Sequence, residues 1–404
     1  SVAPGGDFVP EAVDLGLSVK WASFNVGATA PEEYGDYYAW GETEPKSNYN
    51  WSTYKFGTSS SGPFSKYNTK SSYGTVDNKT VLDPEDDVAH VKLGGNWRMP
   101  TDAECSELRT KCTWTWTTNY NGTGVAGRIV TATNGNSIFL PAAGYWDGAN
   151  LYDAGSRAFY WSSSLRTDNP YAAYDVYFDS DYVSRRSSNC YYGQPVRPVY
   201  GEFVPVASVS LDKTTLELNS GETYQLTASV SPSNATAPDV RWVSSDSSVA
   251  TVDAEGLVAA EGAGSATITA YGSSGVSASC KVVVVKKPVP DGAVDLGLSV
   301  YWATCNIGAN APEEYGDCYA WGETEPYYKD GYAQSSSPEW KEGKSDGYAW
   351  SSYKWCNGTY NTLTKYNNSS SYGTVDNKNV LDPEDDAAHV NWGGSWRMPT
   401  DEEW

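Results

Sequence analysis

The chain has 404 residues, a formal net charge of −22 and 39% hydrophobic residues. Nucleic acids and acidic membrane surfaces bind clustered Lys and Arg, so this charge argues against both as partners. No run of about 18 apolar residues occurs, which predicts that the chain has no transmembrane segment, and the length predicts about two to four domains.

A long segment of the chain occurs twice. GGNWRMPTDAE at 94–104 returns as GGSWRMPTDEE at 393–403, and APEEYGDYYAWGETEP at 30–45 returns as APEEYGDCYAWGETEP at 311–326. The second copy carries an insertion of about 18 residues near 327–349 and matches only the N-terminal half of the first copy. We therefore expect a duplicated domain whose second copy is marginally stable, because half of its core is missing.

The first part of the chain is predicted to be a strand followed by a long loop. Apolar and polar residues alternate over 12–29, as in a half-buried strand. The segment 30–82 is rich in Pro, Gly, Asn and Ser and carries many aromatic residues. A loop of this length is usually packed by its own side chains, which we expect the aromatic residues to provide.

Two short helices are predicted next. The first would have Asp83 as its N-cap and Pro84 as its first residue, and would end at Gly94. The second would begin at Thr101, with Glu104 completing a capping box, and would run to about residue 111.

From residue 113 onward the patterns indicate strands. Asn134-Gly135 lies between two apolar runs, which predicts a hairpin. FYWSSS, AYDVYFDS and PVRPVY are predicted as short strands separated by polar loops. Over 201–288 Val, Ser, Thr and Ala dominate, and eight short strand patterns with turn residues between them predict an all-β sandwich.

The predicted domains are 1–203, 204–287 and 288–404, the last being a truncated second copy of the first.

Two families resemble these segments. VSLDKTTLELNSGETYQLTASVSPSNAT and WVSSDSSVATVDAEGLVAA, within 205–286, closely resemble the bacterial Ig-like domain of group 2 (Big2), a spacer and adhesin module of exported surface proteins. VDLGLSVKWASFNVG, YAWGE, WRMPTDAE, FLPAAGY, YWSSS and VRPV, within 12–200, resemble the Fibrobacter succinogenes major paralogous domain of exported proteins in Bacteroidetes and Fibrobacteres. That domain is similar to the C-type-lectin-like fold of formylglycine-generating enzymes. The resemblance implies a multidomain chain of α+β C-type-lectin-like modules plus an all-β Ig-like sandwich.

Candidate catalytic and metal sites are weak in this sequence. His occurs only as His90 and His389, once in each copy, which favours a structural imidazole over a metal cluster or a catalytic triad. The formylglycine-generating enzymes bind copper through two cysteines near the end of the fold, where this chain has only Cys190, so we expect neither an enzyme nor a copper site. No catalytic or metal-binding residue is assigned, although Asp179 and Asp181 are a candidate acidic pair.

Two further questions stay open at the level of sequence. The acidic run DPEDD at 83–87 could bind calcium instead of capping a helix, so calcium is an open alternative to the expectation of no cofactor. The seven cysteines do not recur in both copies, which favours buried thiols, with a Cys105–Cys112 or a Cys305–Cys318 disulfide as alternatives.

The loops of 145–192 are the predicted ligand-binding face. Tyr and Trp supply contact area at low entropic cost, and Arg, Asn and Asp supply directional hydrogen bonds. The predicted ligand-binding residues are Tyr145, Trp146, Asp147, Tyr152, Arg166, Tyr171, Asp181, Tyr182, Arg185, Arg186, Asn189, Tyr191 and Tyr192.

We therefore expect a secreted or cell-surface bacterial adhesion protein that recognises a glycan or a surface protein. A structural component of a surface array or pilus is the alternative, and an enzyme of the formylglycine-generating fold is the third reading.

Overall fold

The computed structural model describes residues 8–286, 288–329 and 339–404. It divides into two compact units, Ser1–Lys286 and Lys287–Trp404. The chain is mostly β, with 32% strand and 11% helix arranged as many small sheets, so the prediction of α+β C-type-lectin-like modules is wrong. The α-helices of the described residues are only 6, 10 and 6 residues long, because short ladders and turns satisfy most of the backbone.

The first unit opens with a small sheet instead of the single strand predicted over 12–29. Asp14 Oδ1 accepts a hydrogen bond from Gly16 N (2.8 Å) and Gly16 has a φ of +67°, so the chain turns there. The strands within 12–29 are β1 Ala12–Val13 and β2 Lys20–Ala22. The next two strands along the chain are β3 Tyr37–Tyr38 and β4 Trp97–Arg98.

The first helix, α1 (Val88–Leu93), is capped by Asp87 and not by the predicted Asp83. Asp87 accepts hydrogen bonds from the backbone N–H groups of Ala89 and His90, whereas residues 84–86 form a separate 3-10 turn. The carboxylate of Asp83 is not available for capping, because it pairs with two lysine ammonium groups. The predicted end of the helix at Gly94 is confirmed.

The second helix is confirmed in detail. α2 spans Asp102–Lys111, Thr101 is its N-cap, and both hydrogen bonds of the capping box with Glu104 are present. The guanidinium of Arg98 donates to both carboxylate oxygens of Glu104, at 2.8 and 2.5 Å. The cap is therefore joined to β4 through a buried ion pair.

Of the strands that follow, those within 113–141, 145–152 and 158–189 form three antiparallel groups, and the last two pair with the earlier strands β3, β2 and β4. The hairpin around Asn134-Gly135 is confirmed by the register Thr131↔Ser137. Val183–Asn189 was predicted as loop but is a strand, because its polar sequence has no apolar alternation and its order comes from pairing with its neighbour. The strands are β5 Thr113–Thr117, β6 Gly127–Thr131, β7 Ser137–Pro141, β8 Tyr145–Asp147, β9 Asn150–Tyr152, β10 Ala158–Leu165, β11 Ala172–Phe178, β12 Val183–Asn189, β13 Gln194–Pro195 and β14 Val199–Tyr200.

Strands β10, β11 and β12 form one sheet, β5–β6–β7 another, and β14 lies between β2 and β4.

The aromatic residues of 30–82 pack as predicted. Trp40 is 1% exposed and lies beneath β10, where its indole N–H donates to the carbonyl of Ser162 (2.9 Å). The loop therefore contributes much of the core of the first module, together with residues of the late strands.

Residues 204–286 form the predicted all-β sandwich, with the run TYQLTASV divided into two strands. Two larger sheets pack across a core that contains Val258, Ile268 and Val282. The strands are β15 Ser208–Leu211, β16 Thr215–Asn219, β17 Thr223–Gln225, β18 Ala228–Ser231, β19 Val240–Ser244, β20 Ala250–Val252, β21 Leu257–Ala260, β22 Gly264–Gly272 and β23 Ser277–Val285.

The Ig-like sandwich is docked on the first module by backbone and side-chain bonds. Thr80 N donates to the carbonyl of Ser273 (2.9 Å), and Arg241 Nη2 donates to Asn78 Oδ1 (2.6 Å). Both residues of the module lie in the loop before its first helix. The module and the sandwich therefore belong to one compact unit.

The second unit has few regular elements: β24 Ala293–Val294, β25 Trp302–Ala303 and α3 Ala387–Trp392. Its helix repeats the first one, with Asp386 as N-cap. Its aromatic residues are more exposed than their counterparts. Trp321 is 46% exposed, whereas the equivalent Trp40 is 1% exposed beneath a strand that the second copy does not repeat. Among the described residues, no helix is long and apolar enough to span a membrane.

Candidate ligand-binding surface

The sheet β10–β11–β12 positions most of the predicted ligand-binding residues. β11 pairs with β10 on one side and with β12 on the other, and the register places Asp175 opposite Arg186 and Val176 opposite Arg185. Because successive residues of a strand point to opposite faces, the two neighbouring arginines leave β12 on different faces.

Each of these arginines stacks on a tyrosine of β11. The guanidinium carbon of Arg185 lies 3.6 Å from the ring centroid of Tyr174, and that of Arg186 lies 3.5 Å from the centroid of Tyr177. Arg185 also forms an ion pair with Asp102 at the start of α2 (2.8 Å). Stacking fixes the planar guanidinium groups before any ligand arrives.

An open depression lies beside these residues. Arg166 extends from the end of β10, pairs with Asp168 through two bonds of 2.9 and 2.8 Å, and donates to Ser187 Oγ (3.2 Å). The depression has a volume of about 430 Å³ and is lined by Arg166, Asp168, Tyr174, Arg185, Arg186 and Ser187. We call this group the arginine depression.

A second group of predicted residues forms a surface of tyrosine rings. Tyr145 stacks on Tyr152 with ring centroids 5.8 Å apart and contacts Tyr192 at 5.1 Å, and Tyr191 contacts Tyr192 at 4.7 Å. Tyr152, on the exposed strand β9, has 44% of its surface exposed. We call Tyr145, Tyr152, Tyr191 and Tyr192 the tyrosine platform; Tyr191 and Tyr192 are half-buried and also pack against the core, with the ring centroid of Tyr191 4.9 Å from that of Trp51.

Two buried rings connect the platform with the sheet. Tyr145 contacts Phe159 at 4.9 Å, Phe159 contacts Tyr177 at 5.0 Å, and Tyr177 contacts the exposed Tyr182 at 5.5 Å. The hydroxyl of Tyr182 accepts a hydrogen bond from Arg186 Nη2 (2.9 Å). The predicted residues therefore divide into two surfaces joined through a buried aromatic layer.

Several predicted residues have other surroundings. Trp146 packs between Tyr37 (6.3 Å) and Tyr49 (6.4 Å), and Tyr171 packs on Tyr73 (6.3 Å), so both rings contribute to the core. The remaining three are placed at the margins: Asp147 ends β8, Asn189 ends β12, and Asp181 lies in the exposed turn between β11 and β12.

The prediction did not include Tyr174, Tyr177 and Ser187. Tyr174 and Tyr177 lie in the predicted strand AYDVYFDS, and Ser187 lies in the polar segment after it. The alternation of AYDVYF could have indicated that Tyr174 and Tyr177 lie on opposite faces, but not that each would carry an arginine. That information comes from the pairing of β11 with β12.

The acidic pair Asp179 and Asp181 lies in the turn between β11 and β12. Asp179 Oδ1 accepts hydrogen bonds from the backbone N–H groups of Asp181 (2.8 Å) and Tyr182 (3.0 Å), and its Oδ2 accepts from the hydroxyl of Tyr177 (2.8 Å). Burial acts to raise the pKa of Asp179, but these donors outweigh it and lower the pKa. The side chain of Asp179 therefore stabilises the β11–β12 turn.

Acidic residues of the DPEDD run form ion pairs with lysines. Lys66 Nζ lies 2.6 Å from Asp83, 3.2 Å from Glu85 and 2.5 Å from Asp86, among the three carboxylates that come close enough together to hold a cation. Lys365 occupies the same place in the second copy. A calcium ion would have to displace this ammonium group from each cluster.

The histidines and cysteines have structural surroundings. His90 Nδ1 lies 3.3 Å from the carbonyl of Trp97, and His389 repeats this contact at Trp396. All seven cysteines are free thiols, so neither alternative disulfide is formed. Burial raises the pKa of Cys190 far above its usual range, which keeps the thiol protonated and weakly nucleophilic.

Comparison with known families identifies the sandwich. Residues 205–283 match the family model of the bacterial Ig-like domain (group 2). This match confirms the Big2 prediction. It covers a minority of the chain.

Curated relatives match over short stretches. An uncharacterized protein of Clostridium acetobutylicum is 30% identical over 152 residues, which are 35% of this chain and 38% of that protein. The 3-O-alpha-D-galactosyl-alpha-L-arabinofuranosidase of Bifidobacterium longum is 44% identical over 79 residues, 19% of this chain and 7% of the enzyme. The lacto-N-biosidase of Bifidobacterium bifidum is 40% identical over 95 residues, 23% of this chain and 8% of the enzyme. The chain thus spans well under half the length of these relatives.

Among solved structures, domains 4 and 5 of the S-layer protein SbsC give a TM-score of 0.18 at 17% identity, covering 43% of this chain and 99% of that chain. A C-terminal fragment of intimin gives a TM-score of 0.16 at 15% identity, covering 45% of this chain and 66% of that chain. TM-scores this low support no conclusion about the function of this chain.

Proposed function

We propose that this chain is part of an exported, cell-surface bacterial adhesion protein whose first module binds a glycan on the tyrosine platform. The observation that carries the proposal is the exposed ring of Tyr152, held in place by the ring of Tyr145 beneath it. Export and surface display follow from the Big2 match at 205–283, because that family supplies spacers and adhesin modules of surface proteins.

The platform has the chemistry that sugar recognition requires. Tyr rings offer rigid apolar area at a low entropic cost, and a pyranose ring presents an apolar C–H face of similar size. The exposed Asn150 and the half-buried Asp147, on the same β-hairpin, add hydrogen-bonding groups beside the rings. Because Tyr145 and Tyr192 are packed among other rings, little ordering is needed when a ligand binds.

We favour binding over catalysis for this module. The thiol of Cys190 is buried and has a raised pKa, and the imidazole of His90 faces a backbone carbonyl, so neither is arranged as a nucleophile or general base.

A glycan array with the full chain tests the proposal. We expect wild-type protein to bind a defined set of glycans, and Tyr152→Ala and Tyr192→Ala to reduce that binding by about tenfold while leaving the circular dichroism spectrum unchanged. Tyr360→Ala is the matched control, because this tyrosine is 57% exposed in the second unit and lies outside the platform.

The proposal fails if no glycan binds or if both platform variants bind as wild type does. A blank array together with concentration-dependent assembly in sedimentation experiments would instead support a structural component of a surface array.

A further inference from the structure

Strand β12 is an open edge of the sheet. It pairs with β11 along its whole length, from Val183 opposite Phe178 to Asn189 opposite Ala172, and it is the last strand in the order β10–β11–β12. Among the described residues, no backbone hydrogen bond from residues 183–188 leads outside this ladder. Seven residues is a long edge, and natural proteins usually cover or block such edges.

The side chains on this edge make pairing with another copy of itself unfavourable. Arg185 and Arg186 are the exposed residues of β12, one on each face, and each is fixed on a tyrosine ring. Two copies of β12 side by side would bring four guanidinium groups together. Like charges across a strand pair are destabilising, so the edge is protected against self-association but not against a strand of opposite charge.

We propose that β12 binds an extended, acidic segment of a partner protein by strand addition. The partner's backbone would continue the β10–β11–β12 ladder, and two successive acidic residues would point to opposite faces, one toward Arg185 and one toward Arg186. The arginine depression lies beside this strand and gives room for a partner's side chains.

The local charges support an acidic occupant. Arg185 already pairs with Asp102 and Arg166 with Asp168, but no carboxylate of the described residues forms an ion pair with Arg186, whose guanidinium donates only to the hydroxyl of Tyr182. Arg186 therefore has no direct ion-pair partner among the described residues, although the buried carboxyl of Asp175 lies opposite it on β11 and interacts with it electrostatically. The net charge of −22 acts over longer distances, and at physiological ionic strength it is screened beyond about 8 Å.

The remaining side chains of the edge favour a polar partner. Ser184, Ser187, Ser188 and Asn189 flank the arginines, although the hydroxyl of Ser184 is buried and that of Ser187 already accepts a hydrogen bond from Arg166. Cross-strand pairs of Thr with Ser or Thr are favourable in antiparallel sheets. A segment with two adjacent acidic residues between Thr or Val residues therefore fits the edge. This inference does not depend on the tyrosine platform, which is formed by β8, β9 and the turn after β12.

The test uses the full chain and a peptide labelled at its N-terminus, fluorescein-Thr-Val-Glu-Glu-Val-Thr-amide, with binding measured by fluorescence anisotropy. We expect saturable binding that weakens by about tenfold when both Glu residues are replaced by Gln, and by about tenfold for the Arg186→Gln protein. A peptide with N-methyl groups on its internal amides keeps the charges but cannot form the ladder, and we expect it not to bind measurably. Lys213→Gln, which removes one positive charge from the Ig-like domain, should bind as wild type does.

Equal binding of the N-methylated peptide would overturn strand addition, because charge alone would then explain the contact. Absence of binding, or an Arg186→Gln protein with unchanged affinity, would overturn the proposal as a whole. A sulfated disaccharide that binds at Arg186 while the peptide does not would identify the edge as a site for acidic glycans instead. None of these outcomes alters the expected effect of Tyr152→Ala on the glycan array.

Discussion

The guanidinium of Arg186 lies 3.5 Å above the ring of Tyr177, on the strand next to it. This contact links the edge of the sheet with the buried aromatic layer beneath the tyrosine platform. It also explains how an exposed arginine is held in one position without a carboxylate partner.

The arginines of the first module should differ strongly in their effect on stability. Arg197 is 1% exposed and donates to Asn25 Oδ1 (2.7 Å) and to the carbonyl of Phe139 (2.8 Å). Arg197→Ala leaves these acceptors buried without donors, and we expect it to lower the free energy of unfolding by about 3 kcal/mol or more. Arg186→Ala removes one exposed cation–π contact and should cost about 1 kcal/mol or less. Urea unfolding of both variants measures the two losses of unfolding free energy, and equal losses would contradict the predicted difference.

The repeated capping box offers a matched pair of substitutions. Glu104→Gln breaks an ion pair in which Arg98 and Glu104 are 5% and 10% exposed, and we expect a loss of about 2 kcal/mol or more in the unfolding free energy. Glu403→Gln removes the equivalent contact with Arg397, whose side chain is 46% exposed, so the loss should be clearly smaller. Thermal unfolding of the two variants measures both losses of stability. Equal losses would show that burial of the ion pair does not determine its contribution to stability.

The stability of the first unit should depend on the ionisation of Asp175. Burial raises the pKa of this carboxyl to about 6, and its Oδ1 has no hydrogen-bond donor. The folded state therefore binds the proton more tightly than the unfolded state, whose pKa is about 3.9. The stabilisation of the folded state by this tighter proton binding is fully present below about pH 4 and is lost as the pH rises to about 6.

Asp175→Asn removes that ionisation. We expect the variant to gain stability over wild type between about pH 4 and 6, by on the order of 2 kcal/mol, and to keep a constant difference above that range. Urea midpoints measured across the pH range give this difference directly. A difference that does not change with pH would contradict the assignment, whatever its size.

The docking of the Ig-like domain should depend on Gly275. A Cβ atom there would lie 2.3 Å from the carbonyl oxygen of Asp77 in the first module, and the residue has a φ of +87°. We expect Gly275→Ala to separate the two domains, so that calorimetry shows two transitions and proteases cleave between residues 201 and 207. Gly221→Ala is the control, because Gly221 has a φ of +86° with open space around its Cβ position. Two transitions in the control as well would assign the effect to backbone strain.

The second unit should open more readily than the first. α3 repeats α1, but its last residue, Trp392, is 37% exposed where the equivalent Leu93 is 5% exposed. Local opening costs less free energy where fewer apolar contacts must be broken. We therefore expect faster amide hydrogen exchange in Ala387–Trp392 than in Val88–Leu93, measured in the same sample by mass spectrometry. Equal protection of the two helices would contradict a marginal second unit.

The sequence by itself determined the features that depend on neighbouring residues. The capping box at Thr101, the turn at Asn134-Gly135 and the alternating strands of the sandwich are local patterns, and all three are present as predicted. The duplication was likewise visible without a structure. Asp83 shows the limit of this reasoning, because the carboxylate of this good capping residue pairs with Lys66 and Lys79 of the preceding loop instead.

The tertiary structure decided which fold these elements build and which polar residues meet. The many small sheets replaced the expected α+β modules, since strand pairing joins segments that are far apart in the sequence. Strand β12 has no strand pattern of its own and is ordered by β11. The stacking of Arg185 and Arg186 on tyrosines, and the division of one predicted face into a platform and an edge, follow from that register, because only pairing across strands fixes which side chains share a face.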